Sequence, residues 1–360
     1  MSRCKLEEFI SYEQPAKYIV DSDQYDDSYE TPVLTAGKSF ILGYTDEKNN
    51  IFDNLPVIIF DDFTTSVQFV DFPFKVKSSA MKLLKNTEQA DIKYCYYLLK
   101  FLQHTPENHK RQWLSATSQN IVELPTTEKQ KNIVRKLDKI LEVIDNQNKQ
   151  LELLDEAIKA RFVEMFGDNK YEELAVEKVC TSIVDCPHTT PKYNGDLRNP
   201  AIRTSEIKKG FITWDTMKYV SDEEYIERTA RLKPQQGDIV YGREGTFGNA
   251  AILPKGYKFC LGQRVMLLRP NNEFCISQYL LRALISDEVY NQALAKNNAS
   301  TVAHVNVKDV KNFMIPVPPL ELQNQFASFV EEIDKSRSRI QKSLEASQEL
   351  FDSLMQEYFG

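Results

Sequence analysis

Residues 125–167 read PTTEKQKNIVRKLDKILEVIDNQNKQLELLDEAIKARFVEMFG, and residues 318–360 read PPLELQNQFASFVEEIDKSRSRIQKSLEASQELFDSLMQEYFG. Shifted by 193 positions, the two align over 43 residues without a gap and share 11 identities. These include Pro125/Pro318, Glu128/Glu321, Gln130/Gln323, Ile140/Ile333, Leu151/Leu344, Glu156/Glu349 and the closing Phe166-Gly167/Phe359-Gly360. A match at one fixed offset marks a duplicated unit. Proline is tolerated where a helix starts, because its missing N–H would be unpaired there. Glycine suits the end. Each copy is therefore expected to be one long helix.

The apolar residues inside each copy follow a 4,3 spacing. In the first it runs Ile133, Leu137, Ile140, Ile144, Gln147, Leu151, Leu154, Ile158, Arg161, Met165. In the second it runs Phe326, Val330, Ile333, Arg337, Ile340, Leu344, Ser347, Phe351, Leu354, Tyr358. A seam repeating every 3.5 residues is the mark of a coiled coil, and its polar interruptions fix register. A lone helix cannot bury such a seam, so each copy is expected to pair with the other. The plainer alternative is that each packs only on its own globular region.

Those regions are mixed in character. Residues 1–124 carry β-rich runs at Pro32–Leu34, Val57–Phe60 and Val67–Val76, then a helical stretch at Tyr94–Leu102. Residues 168–317 carry runs at Ala201–Arg203, Ile239–Tyr241, Ala250–Leu253 and Val265–Leu268, then a helical stretch at Ser277–Ile285. The order of elements is the same in both. The expected fold is α+β: two mixed domains (1–124 and 168–317) alternating with two long helices (125–167 and 318–360) that pair as an antiparallel coiled coil.

With 42% hydrophobic and 27% charged residues among 360, the chain has the balance of a globular protein. No run approaches the ~18 apolar residues of a membrane span, and Met1 to Tyr18 lacks a signal-peptide core. Cysteines at 4, 95, 180, 186, 260 and 275 form no CxxC pair, which fits reduced thiols and a cytoplasmic location. Cys180, Cys186 and His188 lack a fourth ligand and zinc-type spacing. The net charge of −7 is unevenly spread. Residues 1–124 hold 13 basic against 18 acidic groups, whereas residues 168–318 hold 20 against 18. Acid gathers at Asp21, Asp23, Asp26, Asp27 and Glu30, read as solvated surface.

The whole chain resembles the specificity subunits of type I restriction–modification systems. The resemblance rests on the domain–helix–domain–helix order and on Ile315-Pro316-Val317-Pro318-Pro319-Leu320-Glu321-Leu322-Gln323, similar to the family's I-P-x-P-P-x-x-x-Q lead-in to a long helix. It rests also on Gly237-Asp238-Ile239-Val240-Tyr241-Gly242-Arg243-Glu244-Gly245-Thr246-Phe247-Gly248, a strand with an Arg/Gly-rich loop, and on the helix ending Met165-Phe166-Gly167 with its copy. The resemblance implies that each domain reads one half of a split double-stranded DNA target and that the helices set the gap. It further implies docking of two DNA methyltransferase subunits, which would bind S-adenosylmethionine, and of motor–nuclease subunits. No cofactor is expected in this chain, and no membrane partner. The first domain departs from the pattern: it has one proline before its helix, and Phe60-Asp61-Asp62-Phe63-Thr64-Thr65-Ser66 stands where the second has its Arg/Gly loop.

A DNA reader needs cations for phosphates and forked or amide side chains for base edges. In the second domain this points to Arg243, Thr246 and Asn249, then to Lys192, Arg203, Thr204, Gln263 and Arg264, and to the polar loop with Asn297 and Asn298. Arg243 could offer two donors to guanine, although a solvated turn arginine has the same sequence appearance. In the first domain the candidates are Thr64, Thr65, Ser66, Lys77, Lys110 and Arg111. The helix-pairing residues are Leu137, Ile140, Ile144, Leu151, Leu154, Ile158, Val330, Ile333, Ile340, Leu344, Phe351 and Leu354. A stand-alone methyltransferase would need a glycine-rich donor turn and an Asn/Asp-Pro-Pro-aromatic loop; Asn199-Pro200-Ala201-Ile202 falls short of the latter. No phosphate-binding G-x-x-x-x-G-K-[ST] is present. Asp61-Asp62 is an isolated acidic pair, weak as a nuclease site. The chain reads as a non-enzymatic recognition subunit, with a free-standing coiled-coil regulator as the other alternative.

Overall fold

The structure is a computed structural model that describes residues 2–37, 39–106, 110–167, 170–194, 197–244, 248–296 and 305–360. In chain order the first region holds β1 (Ser2–Lys5), β2 (Ile10–Glu13), β3 (Thr31–Leu34), β4 (Ile41–Thr45), β5 (Val57–Asp61), β6 (Val67–Val70), β7 (Lys75–Val76), β8 (Met81–Asn86), α1 (Ile92–Phe101) and β9 (Ile121–Leu124). Helix α2 (Thr127–Phe166) follows. The second region holds β10 (Glu173–Ala175), β11 (Cys180–Asp185), β12 (Tyr193–Asn194), β13 (Asn199–Ile202), β14 (Lys218–Val220), α3 (Asp222–Arg228), β15 (Ile239–Gly242), β16 (Ala250–Ile252), β17 (Cys260–Leu261), β18 (Val265–Pro270), α4 (Ser277–Leu284), α5 (Asp287–Lys296), α6 (Val307–Lys311) and β19 (Met314–Pro316). Helix α7 (Leu320–Phe359) ends the chain.

Both long helices begin two residues after the first proline of their repeat, not at it. The reason is the same in each copy. The Gln130 amide nitrogen donates to the Pro125 carbonyl at 2.8 Å, and that of Gln323 to the Pro318 carbonyl at 2.8 Å. Each glutamine then receives a backbone N–H at the start of the short helix, from Asp91 at 2.7 Å and from Ile276 at 3.0 Å. Both side chains are fully buried. A buried amide must find partners for its donors and acceptor, and these two solve the problem identically.

The sheets repeat as well. One four-stranded sheet has the order β2-β8-β5-β6 and its counterpart β11-β18-β15-β16. Beside them, β3 pairs antiparallel with β4 and parallel with β7, as β13 pairs with β14 and β17. Two ribbons, β1 with β9 and β10 with β19, close each region just before its long helix; nothing in their sequence marks them as strands. The run Val67–Val76 divides into β6 and β7, which lie in different sheets. Pro73, with no N–H to donate, interrupts it.

The chain forms two compact units: Met1–Lys149 with Gln341–Gly360, and Gln150–Ile340. Each unit takes half of each long helix, so the units cut across the linear four-segment division. In the first unit Ile133, Leu137, Phe351 and Met355 share a core with α1 and β5. Farther along, Gln147 donates to the Ser343 hydroxyl at 2.8 Å, so the two segments run antiparallel. In the second unit Ile158 and Phe166 pack with Phe326, Val330 and Tyr279, and Arg337 meets Asp155 at 2.6 Å. That pairing is antiparallel too. Every position of both 4,3 seams is buried or half-buried, including all twelve residues expected to pair the helices. Full burial of a side chain such as Leu137 or Ile158 contributes about 1.5–3 kcal/mol. The two closing phenylalanines do equivalent work: Phe359 lies 5.3 Å from the Tyr94 ring and Phe166 4.9 Å from that of Tyr279.

Candidate nucleic-acid interface

In the second domain the ends of β11, β13, β15 and β17 carry most of the expected DNA-reading residues into one loop cluster. The Gly262 N–H donates to the Ile202 carbonyl at 2.7 Å, and a Cβ there would lie 2.6 Å from both that oxygen and Arg203 Cγ. Only glycine permits this approach. It carries Gln263, whose amide nitrogen donates to the Thr190 hydroxyl at 2.9 Å. Arg264 follows at φ +64°, a left-handed conformation unusual outside glycine. Its side chain is exposed and meets Glu244 at 2.9 Å.

Arg243 does not stand free in a turn. It is 6% exposed, its guanidinium meets Asp185 at 2.9 Å, and its N–H donates to the Arg264 carbonyl at 2.9 Å. Arg203 is similarly engaged, with Glu206 at 2.5 Å and the Thr216 carbonyl at 2.7 Å. Burial pushes the Glu206 carboxyl up, but hydrogen bonds from Arg203, Ser205 and Thr216 outweigh it and hold the group below its ordinary value. Asn249 donates to the Ile207 carbonyl at 3.2 Å and so staples the loop base. Lys192 is exposed and Thr204 half-buried. Thr246, Asn297 and Asn298 lie outside the described residues. Sequence reasoning missed Thr190, Asp185, Glu206 and Glu244, because their roles depend on neighbours distant in sequence.

In the first domain β5 and β8 pair in the register of β15 and β18, which puts Asp62 where the second domain has Arg243. Asp62 is buried against Lys82 at 3.1 Å, each side chain 1% exposed. The Asp62 carbonyl accepts from the Gln112 N–H at 2.8 Å, as the Arg243 carbonyl accepts from that of Val305 at 2.9 Å. The Thr65 hydroxyl donates to the His104 carbonyl at 2.6 Å, and Thr65 is buried at φ +57°. Thr64 is exposed and Ser66 half-buried. Lys77 pairs with Asp23, so part of the acidic run binds a protein cation instead of facing only solvent. Lys110 and Arg111 are exposed. Among the described residues no three His, Cys, Asp or Glu side chains could hold a metal, and no helix is long and apolar enough to cross a membrane.

Comparison with known proteins agrees with this layout. The family profile described as "Type I restriction modification DNA specificity domain" matches residues 195–348. The specificity subunit of the Escherichia coli type I restriction enzyme EcoR124I/EcoR124II is 29% identical over 375 aligned residues, covering 96% of this chain and 89% of that protein. The chain is thus similar, over nearly its whole length, to a type I specificity subunit. Its fold matches the crystal structure of the type I restriction–modification S subunit from M. genitalium with a TM-score of 0.62, at 13% identity, over 100% of this chain and 96% of that one. A chain from a structural study of type I system assembly and conformational transition matches at 0.55, with 14% identity, 99% of this chain and 97% of that one. The profile falls on the second domain and most of α7. The first domain lies outside it, yet repeats the same sheet orders, the same buried glutamine and the same strand-end carbonyl bond.

Proposed function

We propose that this chain is a type I specificity subunit that reads a split double-stranded DNA target, one half through each globular domain, and is not itself a catalyst. Two methyltransferase subunits dock on it and supply the S-adenosylmethionine site, and motor–nuclease subunits join them, in the cytoplasm. One observation carries the reading: the near full-length likeness to a specificity subunit extends over a chain whose two domains are built alike. A free-standing coiled-coil regulator is not favoured, because that likeness spans the DNA-facing domains as well as the helices.

In the second domain the exposed side chains of Arg264 and Lys192 and the half-buried side chain of Gln263 supply the chemistry for DNA. Cations neutralise phosphates, and an amide can address a base edge. Arg243, tied to Asp185, braces this surface from below. The test is reconstitution. Purified chain with methyl donor and DNA should transfer no methyl group. Addition of its methyltransferase should give transfer at a two-part sequence. Transfer by the chain alone, or transfer at sites with no shared sequence, would refute the reading.

A further inference from the structure

Helix α3 turns two charged side chains inward, four residues apart. Its first turn is capped by Ser221, whose hydroxyl accepts from the Glu224 N–H at 3.2 Å. Glu224 and Arg228 are 8% and 6% exposed. Glu224 accepts the Lys192 N–H at 3.3 Å. Arg228 reaches further. Its Nε donates to the Leu261 carbonyl at 2.9 Å, one terminal nitrogen to that of Gly262 at 3.2 Å, and both terminal nitrogens to that of Thr189 at 3.3 Å. The Thr189 and Gly262 carbonyls immediately precede Thr190 and Gln263, which bond to each other.

Burying a cation is costly, and an apolar residue of similar volume often does as well for stability. What a planar guanidinium adds is several donors in a fixed fork. Here the fork fixes the backbones of two loops beside two polar side chains at the surface. With its nitrogen held by Thr190, Gln263 keeps its amide oxygen as an acceptor. That suits a base edge presenting an amino group in the major groove, N6 of adenine or N4 of cytosine.

We propose that Arg228 is a positioning residue for sequence reading in the second domain, acting through Thr190 and Gln263. The proposal rests on that domain facing DNA. The experiment uses the full chain in complex with its methyltransferase, a randomised duplex library, and sequencing of the bound pool. Gln263→Ala should lower discrimination at one base position of one half-site by about tenfold, within the range for a good base contact. Arg228→Lys should lower it at that same position by about fivefold on the same scale. In the double variant the lysine should add nothing there. Thr190→Val, which leaves the buried fork intact, should shift the same position in the same direction. The other half-site should not change in any variant.

An Arg228→Lys effect that adds in full to Gln263→Ala would overturn the proposal. So would an even loss of affinity for all sequences, since the guanidinium would then only hold the fold. If Arg228→Lys does not fold, Thr190→Val decides alone, and an unchanged base position rejects the proposal. A silent Gln263→Ala in a complex that still selects its site sinks the proposal and leaves the broader function standing. Absence of any preference in the unaltered complex sinks both.

Discussion

The two domains place opposite charges at one point of one scaffold. At the end of β15, Arg243 is buried against Asp185; at the end of β5, Asp62 is buried against Lys82. The loop brackets both pair a glutamate with a cation but draw them from different elements. In the second domain Glu224 and Arg228 hold the loops that carry Lys192 and Gln263. In the first there is no helix between β4 and β5. Glu47 accepts the N–H groups of Asp21 and Ser22 at 2.9 and 3.1 Å and pairs with buried Lys75 at 2.5 Å. The strands, the ribbons and the Gln130/Gln323 junction stay constant while the loops and their charged supports change. That is the pattern expected of two readers of different sequences held in one frame.

The largest effect should come from the pair that is driest. Lys82→Met leaves Asp62 buried without its cation and should cost about 3–5 kcal/mol in denaturant unfolding. Arg243→Met leaves Asp185, which keeps 16% exposure, and should cost about half as much. Equal losses would mean that burial does not separate the two pairs. Next, Gln130→Ala and Gln323→Ala each strand a buried N–H and a proline carbonyl. Each should cost roughly 2–3 kcal/mol, given about 1–3 kcal/mol per unsatisfied group. A large loss at one and none at the other would show that the repeat is geometric only.

Much of this comparison was legible in the sequence, and the limits have physical causes. The long helices announce themselves because 43 residues hold one period twice. The central strands do so because their runs are β-branched and apolar. Ser2–Lys5 and Glu173–Ala175 escape notice because ribbons of four and three residues carry too few side chains to show a period. Gln130 and Gln323 were visible as an identity, but their role needed the helices α1 and α4 in place. Arg243 looked like a free arginine among glycines; Asp185, which buries it, lies on another strand. Loop chemistry of this kind is set by contacts between strand ends, and sequence spacing does not encode them.

Smaller effects sharpen the second domain alone. Arg264→Ala should weaken cognate and random DNA alike and lower the salt slope of binding by about one if the side chain meets a phosphate. Loss on cognate DNA only would make it a base reader. The smallest effect concerns pH. Because the folded Glu206 carboxyl lies below its ordinary value, the stability it contributes is present above that ordinary value and is lost as pH falls through the depressed one. Glu206→Gln should therefore flatten the acid limb of a stability–pH curve. An unchanged acid limb would place the depressed group elsewhere.

The central claim is that each domain reads its own half of a split target. Mapping methylated sites in cells that carry the methyltransferase, with either the unaltered chain or the Gln263→Ala, Arg264→Ala double variant, tests it most directly. The account predicts a two-part motif in which one half relaxes while the other half and the gap between them stay unchanged. A motif without two parts, or a variant that alters both halves together, would contradict it.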